Sequence, residues 1–106
     1  MDERAFETLA EETLRGFMAR IEDAIGADVD LRGGVLTIEF DDGRQYVINK
    51  HAPNRQIWLS SPLSGASHYG WDETARAWRS TRGGAALADL LATELAQISG
   101  ADIRFD

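Results

Sequence analysis

The chain has 106 residues, 43% of them hydrophobic, which suffices for one domain with a single modest core. Its 18 acidic residues outnumber its 11 basic ones, and the net charge of −7 argues against a nucleic-acid ligand, because phosphate contacts need clustered basic residues. The absence of cysteine excludes disulfides, thiolate nucleophiles, Cys-type zinc sites and direct ligation of an iron–sulfur cluster.

An amphipathic helix is predicted over about residues 2–25. Apolar residues recur there with a period near 3.6, which places them on one stripe facing a core. Acidic residues occupy the first turn, where they complement the helix dipole, and Gly26 follows as the predicted stop. The stripe consists of Phe6, Leu9, Ala10, Thr13, Leu14, Phe17, Ile21 and Ile25.

The middle of the chain alternates apolar and polar residues, which is typical of strands with one buried face. Asp42-Gly43 predicts a hairpin turn, residues 62–65 a loop, and Thr74 with Ala75 a further turn. The predicted strands are GVLTIEF, RQYVINK, QIWLSS, SHYGW and ARAWRS, and VDLR is a candidate first strand.

A second helix is predicted from about Gly84, with Ser99-Gly100 closing it. The order helix, antiparallel meander, helix predicts an α+β fold in one domain over residues 1–106. In this two-layer sandwich the N- and C-terminal helices pack on one face of a five- to six-stranded antiparallel sheet. The other sheet face is left toward solvent.

Carboxylates gather along the first helix and near it. Glu3, Glu7 and Glu11 are spaced by four, and Glu22 follows after eleven residues, so these four are predicted to share a side. Such a surface is suited to hard cations, among them iron, calcium, magnesium and manganese, each bound through few direct ligands and several waters. The candidate metal-binding residues, called the acidic surface below, are Asp2, Glu3, Glu7, Glu11, Glu12, Glu22, Asp23, Glu39, Asp41 and Asp42, with Asp28 and Asp30 between them.

A solvated helix face is the alternative interpretation of these acids, with Arg15 and Glu11 forming an ordinary ion pair four residues apart. The sequence contains no EF-hand loop, no HExxH motif and no Glu-x-x-His pair on either helix. We therefore do not expect a buried, preformed metal site.

Trp58 is the second feature that needs a function. If Ile57 and Leu59 face the helices, alternation directs Gln56 and Trp58 to the open sheet face. A solvent-facing tryptophan among amides and an arginine has the composition of a protein-interaction hot spot. Two alternatives remain: Trp58 covers the sheet by packing on neighbouring strands, or the register is shifted by one and Trp58 is core. Its expected neighbours are Asn49, Asn54 and Arg55.

No catalytic motif is evident. The serines lack a nucleophile elbow, and neither Gly33-Gly34 nor Gly83-Gly84 has the lysine and strand–loop–helix context of a phosphate loop. Trp71 and Trp78 indicate packing roles, and His51 and His68 are interpreted as surface residues.

With these segments in order, the sequence resembles the frataxin family, as a bacterial, alphaproteobacterial-like homologue. The resemblance rests on LAEETL, GVLTIEF, the central run YVINKHAPNRQIWLSSPLSG, the segment 69–71 and GGAALADLLATEL. It implies a small protein that binds iron, ferrous or ferric, weakly on surface carboxylates. It also implies action on the iron–sulfur assembly complex of cysteine desulfurase and scaffold, by promoting persulfide or iron delivery.

The resemblance also implies roles for residues. The acidic surface would contact iron and the basic desulfurase, and a sheet-face patch would contact the scaffold and the desulfurase. Arg15 and Ala19 stand where related proteins often have acids, and His68 stands where the family has an arginine in this patch, so that contact could be pH-sensitive. The patch residues are Asn49, Asn54, Gln56, Trp58 and His68.

Three functions follow as hypotheses: a non-enzymatic regulator of cluster assembly, a ferroxidase and iron-storage protein, and an acidic binding module unconnected with iron. The longest apolar stretch falls far short of the roughly 20 residues that span a bilayer, and the acidic N-terminus resembles neither a secretory signal nor a transit peptide. We expect a mostly monomeric protein of the bacterial cytoplasm, or of the mitochondrial matrix if a transit peptide has been removed.

Overall fold

In the computed structural model, which describes residues 1–105, two helices pack on one face of a six-stranded sheet. Strands adjacent in sequence are adjacent in the sheet, and each such pair is antiparallel. The predicted α+β sandwich is thus confirmed, including the strand at VDLR. The elements are α1 (Glu3–Ala24), β1 (Asp28–Arg32), β2 (Val35–Glu39), β3 (Gln45–His51), a 3-10 turn (Ala52–Asn54), β4 (Gln56–Ser61), β5 (Gly65–Asp72), β6 (Ala77–Ser80) and α2 (Leu87–Ser99).

Helix α1 begins at a side-chain cap and presents its apolar stripe to the sheet. The carboxylate of Asp2 accepts a hydrogen bond from the backbone N–H of Ala5 at 2.7 Å, which satisfies one of the free donors at the helix start. The chain leaves the helix at Ile25, which is extended (φ −134°) while its N–H still donates to the carbonyl of Ile21. The helix therefore ends at Ala24, two residues before Gly26, without a left-handed glycine.

The core lies between the helices and one face of the sheet. Alternate strand residues point into it, and each fully buried aliphatic side chain contributes about 1.5–3 kcal/mol relative to an exposed one. The principal members are Phe6, Leu14 and Ile21 of α1, Leu36, Ile38, Tyr46, Ile48, Ile57, Leu59, Tyr69 and Trp78 of the sheet, and Leu87, Leu91 and Leu95 of α2.

Helix α2 starts three residues later than the sequence pattern predicts. Gly83 and Gly84 both have left-handed backbone angles (φ +84° and +97°), so they belong to the turn before the helix. Its end is as predicted, because Gly100 caps Ser99 with φ +76° and donates its N–H to the carbonyl of Ala96.

A buried polar network joins α2 to the sheet. Glu94 is 8% exposed, and its Oε1 accepts hydrogen bonds from the Tyr46 hydroxyl at 2.7 Å and from Ser61 Oγ at 2.5 Å. Ser61 Oγ in turn accepts from the backbone N–H groups of Leu63 and Ser64, both at 3.0 Å. Burial, and then the hydrogen bond to Glu94, raise the pKa of Tyr46. The network therefore fixes α2, β3 and the β4–β5 loop relative to one another.

Candidate functional site

Trp58 lies on the open sheet face, as strand alternation predicts. The residues on either side of it in β4 are core, with Ile57 0% and Leu59 2% exposed. Trp58 pairs with Asn49 of β3 and with His68 of β5, so all three side chains point away from the helices. The interpretation of Trp58 as a core residue with a shifted register is therefore wrong.

Two imidazole rings sandwich the indole of Trp58. The ring of His51 stacks on one face at 3.6 Å between centroids with an interplanar angle of 10°, and that of His68 on the other at 4.3 Å and 11°. The indole N–H donates a hydrogen bond to Gln56 Oε1 at 2.8 Å, along the same strand. Trp58 is half-buried by these neighbours. It therefore packs across three strands and is also available on the open face.

We call Asn49, His51, Gln56, Trp58 and His68 the Trp58 face. Asn49 is half-buried beside the indole, and its amide nitrogen donates to the carbonyl of Lys50 at 3.1 Å. The predicted patch and this face differ at two positions. Asn54 is exposed and lies in the 3-10 turn before the start of β4. His51, which the sequence predicts only as a surface residue, takes part in the stack, and its spacing of two from Asn49 is the signal that places it on this face.

His51 also carries a polar atom that the protein leaves unsatisfied. Its Nδ1 is buried and has no hydrogen-bond partner among residues 1–105. The indole of Trp58 lies between His51 and His68, so the two imidazoles cannot close on one metal ion. The stacking thus sets the two imidazoles against the indole, which separates them as metal ligands.

Glu7 and Glu11, the central pair of the acidic surface, are held by a cation from the sheet. Lys50 points to the helix side of β3, and its ammonium donates hydrogen bonds to Glu7 Oε2 and, at 2.9 Å, to Glu11 Oε1. The hydrogen bond to Glu7, followed by that to Glu11, raises the pKa of Lys50. These contacts confirm that the two glutamates share a side of α1, and they partly neutralise it.

Two further acids of the predicted set have structural partners. Asp2 caps α1, as described above. Asp42 accepts hydrogen bonds from Arg44, at 2.8 Å from Nε and 2.9 Å from the backbone N–H, and these bonds hold the pKa of its carboxyl below the ordinary range. The carboxylates of both Asp2 and Asp42 thus accept hydrogen bonds from nearby backbone N–H groups.

The remaining acids are spread along the molecule. Glu22 lies nineteen residues after Glu3 on α1, which is about 28 Å at 1.5 Å per residue. Three residues connect α1 to Asp28, which pairs with Glu39, so Glu22 and Asp23 lie at the end of the sandwich that carries the β2–β3 hairpin. Within residues 1–105, no three His, Asp or Glu side chains gather closely enough to hold a metal ion. The structure thus provides exposed carboxylates at two ends of α1 instead of one chelating site.

A groove lies on the helix layer and reaches Glu12 of the acidic surface. It has a volume of about 650 Å³ between α1 and α2, and Trp71 and Trp78 are among its lining residues. The hydroxyl of Thr13, a lining residue, donates a hydrogen bond to the Leu9 carbonyl and accepts one from the Trp78 indole. Both hydrogen bonds are made within the protein. Neither helix of the described chain combines the length and apolarity needed to cross a bilayer.

Comparison with known proteins gives a consistent result. The Frataxin-like domain family matches residues 1–101. The mitochondrial frataxin of Arabidopsis thaliana is 40% identical, over 98% of this chain and 59% of that protein. The iron-sulfur cluster assembly protein CyaY of Thioalkalivibrio sulfidiphilus is 39% identical, over 98% of this chain and 99% of that protein. The chain thus spans less than two thirds of the plant relative and nearly all of the bacterial one.

Solved structures agree with the fold. A frataxin from Psychromonas ingrahamii superposes with a TM-score of 0.89 at 26% identity, covering 100% of this chain and 99% of that one. A trimeric frataxin from Saccharomyces cerevisiae, in a structure described as complexed with ferrous, gives a TM-score of 0.69 at 36% identity, over 94% of this chain and 88% of that one.

Proposed function

Because the chain belongs to the frataxin family, as its match over residues 1–101 shows, we propose that it is a non-enzymatic regulator of iron–sulfur cluster assembly. Its partners in this proposal are a cysteine desulfurase and its scaffold protein, and its action is to promote persulfide or iron delivery. The Trp58 face carries the proposal, and relatives named iron-sulfur cluster assembly protein support it.

The geometry of Trp58 supports a docking role. Tryptophan is the residue type most enriched at interface hot spots, and its value depends on a rigid presentation. Here the imidazoles of His51 and His68 and the side-chain amide oxygen of Gln56 hold the indole in one orientation, so little side-chain entropy is lost on association. The amides of Asn49 and Gln56 add polar groups at the rim of the aromatic ring.

The acidic surface is proposed to bind iron as cargo and to steer the protein toward a basic partner. A net charge of −7 favours attraction to a basic surface over distances set by the ionic strength. The absence of a three-ligand cluster within residues 1–105 favours weak binding through few carboxylates and several waters. A yeast neighbour described as complexed with ferrous supports iron as the ion. The assignment of the individual acids remains a prediction, as do the monomeric state and the bacterial cytoplasmic location.

The test is the rate of cluster assembly on the cognate desulfurase and scaffold, with and without this protein and iron. Trp58→Ala is expected to raise the concentration needed for half-maximal stimulation by about 30-fold, since truncating a hot-spot residue costs about 2 kcal/mol or more. Iron binding by this variant should be unchanged. Leu63→Ala is the control, because Leu63 is a large hydrophobic residue that is 45% exposed and lies in the β4–β5 loop outside the Trp58 face. Full stimulation by Trp58→Ala at the wild-type concentration would refute the proposal.

Ferroxidase activity is the second candidate, and the geometry favours it less. Oxidation of ferrous iron by a diiron mechanism needs carboxylates that bridge two metal ions. The pair Glu7 and Glu11 on α1 already shares the Lys50 ammonium. We expect oxygen consumption with ferrous iron and this protein to equal the rate in buffer.

A further inference from the structure

Lys50 is the only lysine in the sequence, and the protein directs it inward. All ten other basic side chains are arginines. The side chain of Lys50 is only 19% exposed and extends from β3 to α1, where it meets Glu7 and Glu11. A lysine ammonium is a compact charge that two separate carboxylates can share, whereas the planar arginine fork is suited to one carboxylate in two-point contact.

The turn between β1 and β2 is shaped to admit this side chain. Gly34 has a left-handed conformation (φ +79°), and a Cβ atom at this position would clash with the Lys50 side chain. Its carbonyl accepts the backbone N–H of Lys50 at 2.9 Å, which fixes the start of the lysine side chain. Gly34 therefore provides both the space and the anchor for the lysine.

This arrangement places a permanent cation where a metal ion would need both glutamates. We propose that Lys50 determines which carboxylates of the acidic surface take up iron: it closes Glu7 and Glu11 to metal ions and leaves iron to the acids that Lys50 does not contact. The inference rests on the proposed iron binding but not on the proposed docking of Trp58. A divalent ion at Glu7 and Glu11 must first displace the ammonium or bind beside a positive charge.

The acids at the other end have no such competitor. Five of them take part in no ion pair within residues 1–105, and we call these the distal acids: Glu22, Asp23, Asp28, Glu39 and Asp41. Glu3 and Glu12, on the same half of α1 as Glu7 and Glu11, take part in none either. Glu22 lies eleven residues after Glu11, or about 16 Å along the helix, so binding at the two ends can be resolved by a local probe.

The experiment uses the complete protein alone, without the assembly complex. Substoichiometric Mn²⁺ is added to ¹⁵N-labelled protein, and the paramagnetic broadening of each amide signal is measured. In the wild type, broadening is expected at the distal acids and not at Glu7 and Glu11. In Lys50→Met, which keeps a long apolar side chain, broadening should appear at Glu7 and Glu11. Anaerobic calorimetry with Fe²⁺ should then detect binding at this pair about tenfold tighter than in wild type, because a repelling charge about 4 Å away is removed.

Arg15→Gln is the matched control. Arg15 also faces Glu11, at 3.8 Å, but its side chain is 74% exposed, so the substitution removes the same charge without opening the pair. In Lys50→Arg the pair Glu7 and Glu11 should remain closed to metal ions, since the positive charge is kept. Broadening at Glu7 and Glu11 in Arg15→Gln equal to that in Lys50→Met would overturn the proposal, because net charge alone would then be responsible.

A second variant keeps the proposal testable if Lys50→Met does not fold. Glu7→Gln/Glu11→Gln, made with Lys50 intact, should bind Fe²⁺ within about twofold of wild type, because these carboxylates are not in use. A tenfold loss in this double variant, or wild-type broadening centred on Glu7 and Glu11, would overturn the proposal. If no variant or wild type binds either metal, the iron-binding proposal fails as well. Loss of stimulation by Trp58→Ala is independent of all these outcomes.

Discussion

Replacing Tyr46 by Phe tests the buried network that joins α2 to the sheet. The substitution keeps the fully buried ring and removes only the hydroxyl, which donates to Glu94 Oε1 at 2.7 Å. Among the described residues, Ser61 would then be the one remaining donor to Glu94 Oε1. Glu94 is only 8% exposed. The carboxylate loses hydrogen bonding without gaining access to water.

The expected loss follows from the charge of the acceptor. A hydrogen bond to a charged group contributes about 1.5–3 kcal/mol, against about 1 kcal/mol for a neutral pair. We therefore expect Tyr46→Phe to lower the free energy of unfolding by about 2 kcal/mol, which corresponds to roughly 10 °C in the melting temperature of a domain of this size. The urea m-value should not change, since the surface exposed on unfolding is the same.

Tyr69→Phe is the internal control. Tyr69 is also buried, at 1% exposure, but its hydroxyl accepts from Ser67 Oγ at 2.9 Å and contacts no carboxylate. Its removal should cost about 1 kcal/mol. Equal losses in urea unfolding of Tyr46→Phe and Tyr69→Phe would refute the argument that Glu94 makes the first hydroxyl special.

The same network has a predicted pH dependence. Because the pKa of Tyr46 is raised by burial and then by Glu94, the folded state disfavours the phenolate. Its contribution to stability is fully present below the unfolded tyrosine pKa of about 10 and is lost as the pH rises through the folded value. Urea midpoints measured between pH 9 and pH 11.5 should fall more steeply for wild type than for Tyr46→Phe. Parallel curves would contradict this assignment.

Three further substitutions address the surfaces and the helix end. Gln56→Ala removes the acceptor that orients Trp58, and we expect several-fold weaker stimulation of cluster assembly with a stability change under about 0.5 kcal/mol; an unchanged rate curve would argue against preorganisation. Gly100→Ala forces a side chain into φ +76° and should cost about 1 kcal/mol in urea unfolding, and a neutral result would contradict the left-handed cap. Arg44→Gln should move the NMR-titrated pKa of Asp42 up toward its ordinary value, whereas an unmoved titration would assign the shift to the backbone.

Much of the fold could be predicted because it depends on local periodicity. The stripe with a period near 3.6 defines α1, and the alternation around Ile57 and Leu59 places Trp58 on the open face. The chain order of the strands follows from short connections, which favour neighbouring antiparallel pairs. These features need no knowledge of distant contacts.

The contacts that the sequence did not predict connect distant residues. Lys50 and Glu7 are 43 positions apart, and Tyr46 and Glu94 are 48 apart. Their pairing depends on how α1 and α2 lie on the sheet, which periodicity does not specify. The role of His51 was missed for a related reason, because ring stacking across β3 and β4 depends on strand register. The sequence thus predicted the Trp58 face from its tryptophan but did not predict that His51 stacks on the indole.

The Trp58 face comes from one continuous stretch, from Asn49 to His68, folded into three consecutive strands. Each strand alternates its side chains between two faces, so adding or removing one residue between β3 and β4 would exchange the surfaces of β4. Trp58 would then point at the helices, and Ile57 and Leu59 at solvent. The lengths of the two connections, residues 52–55 and 62–64, are therefore as strict a requirement for recognition as the identities of the residues that they align.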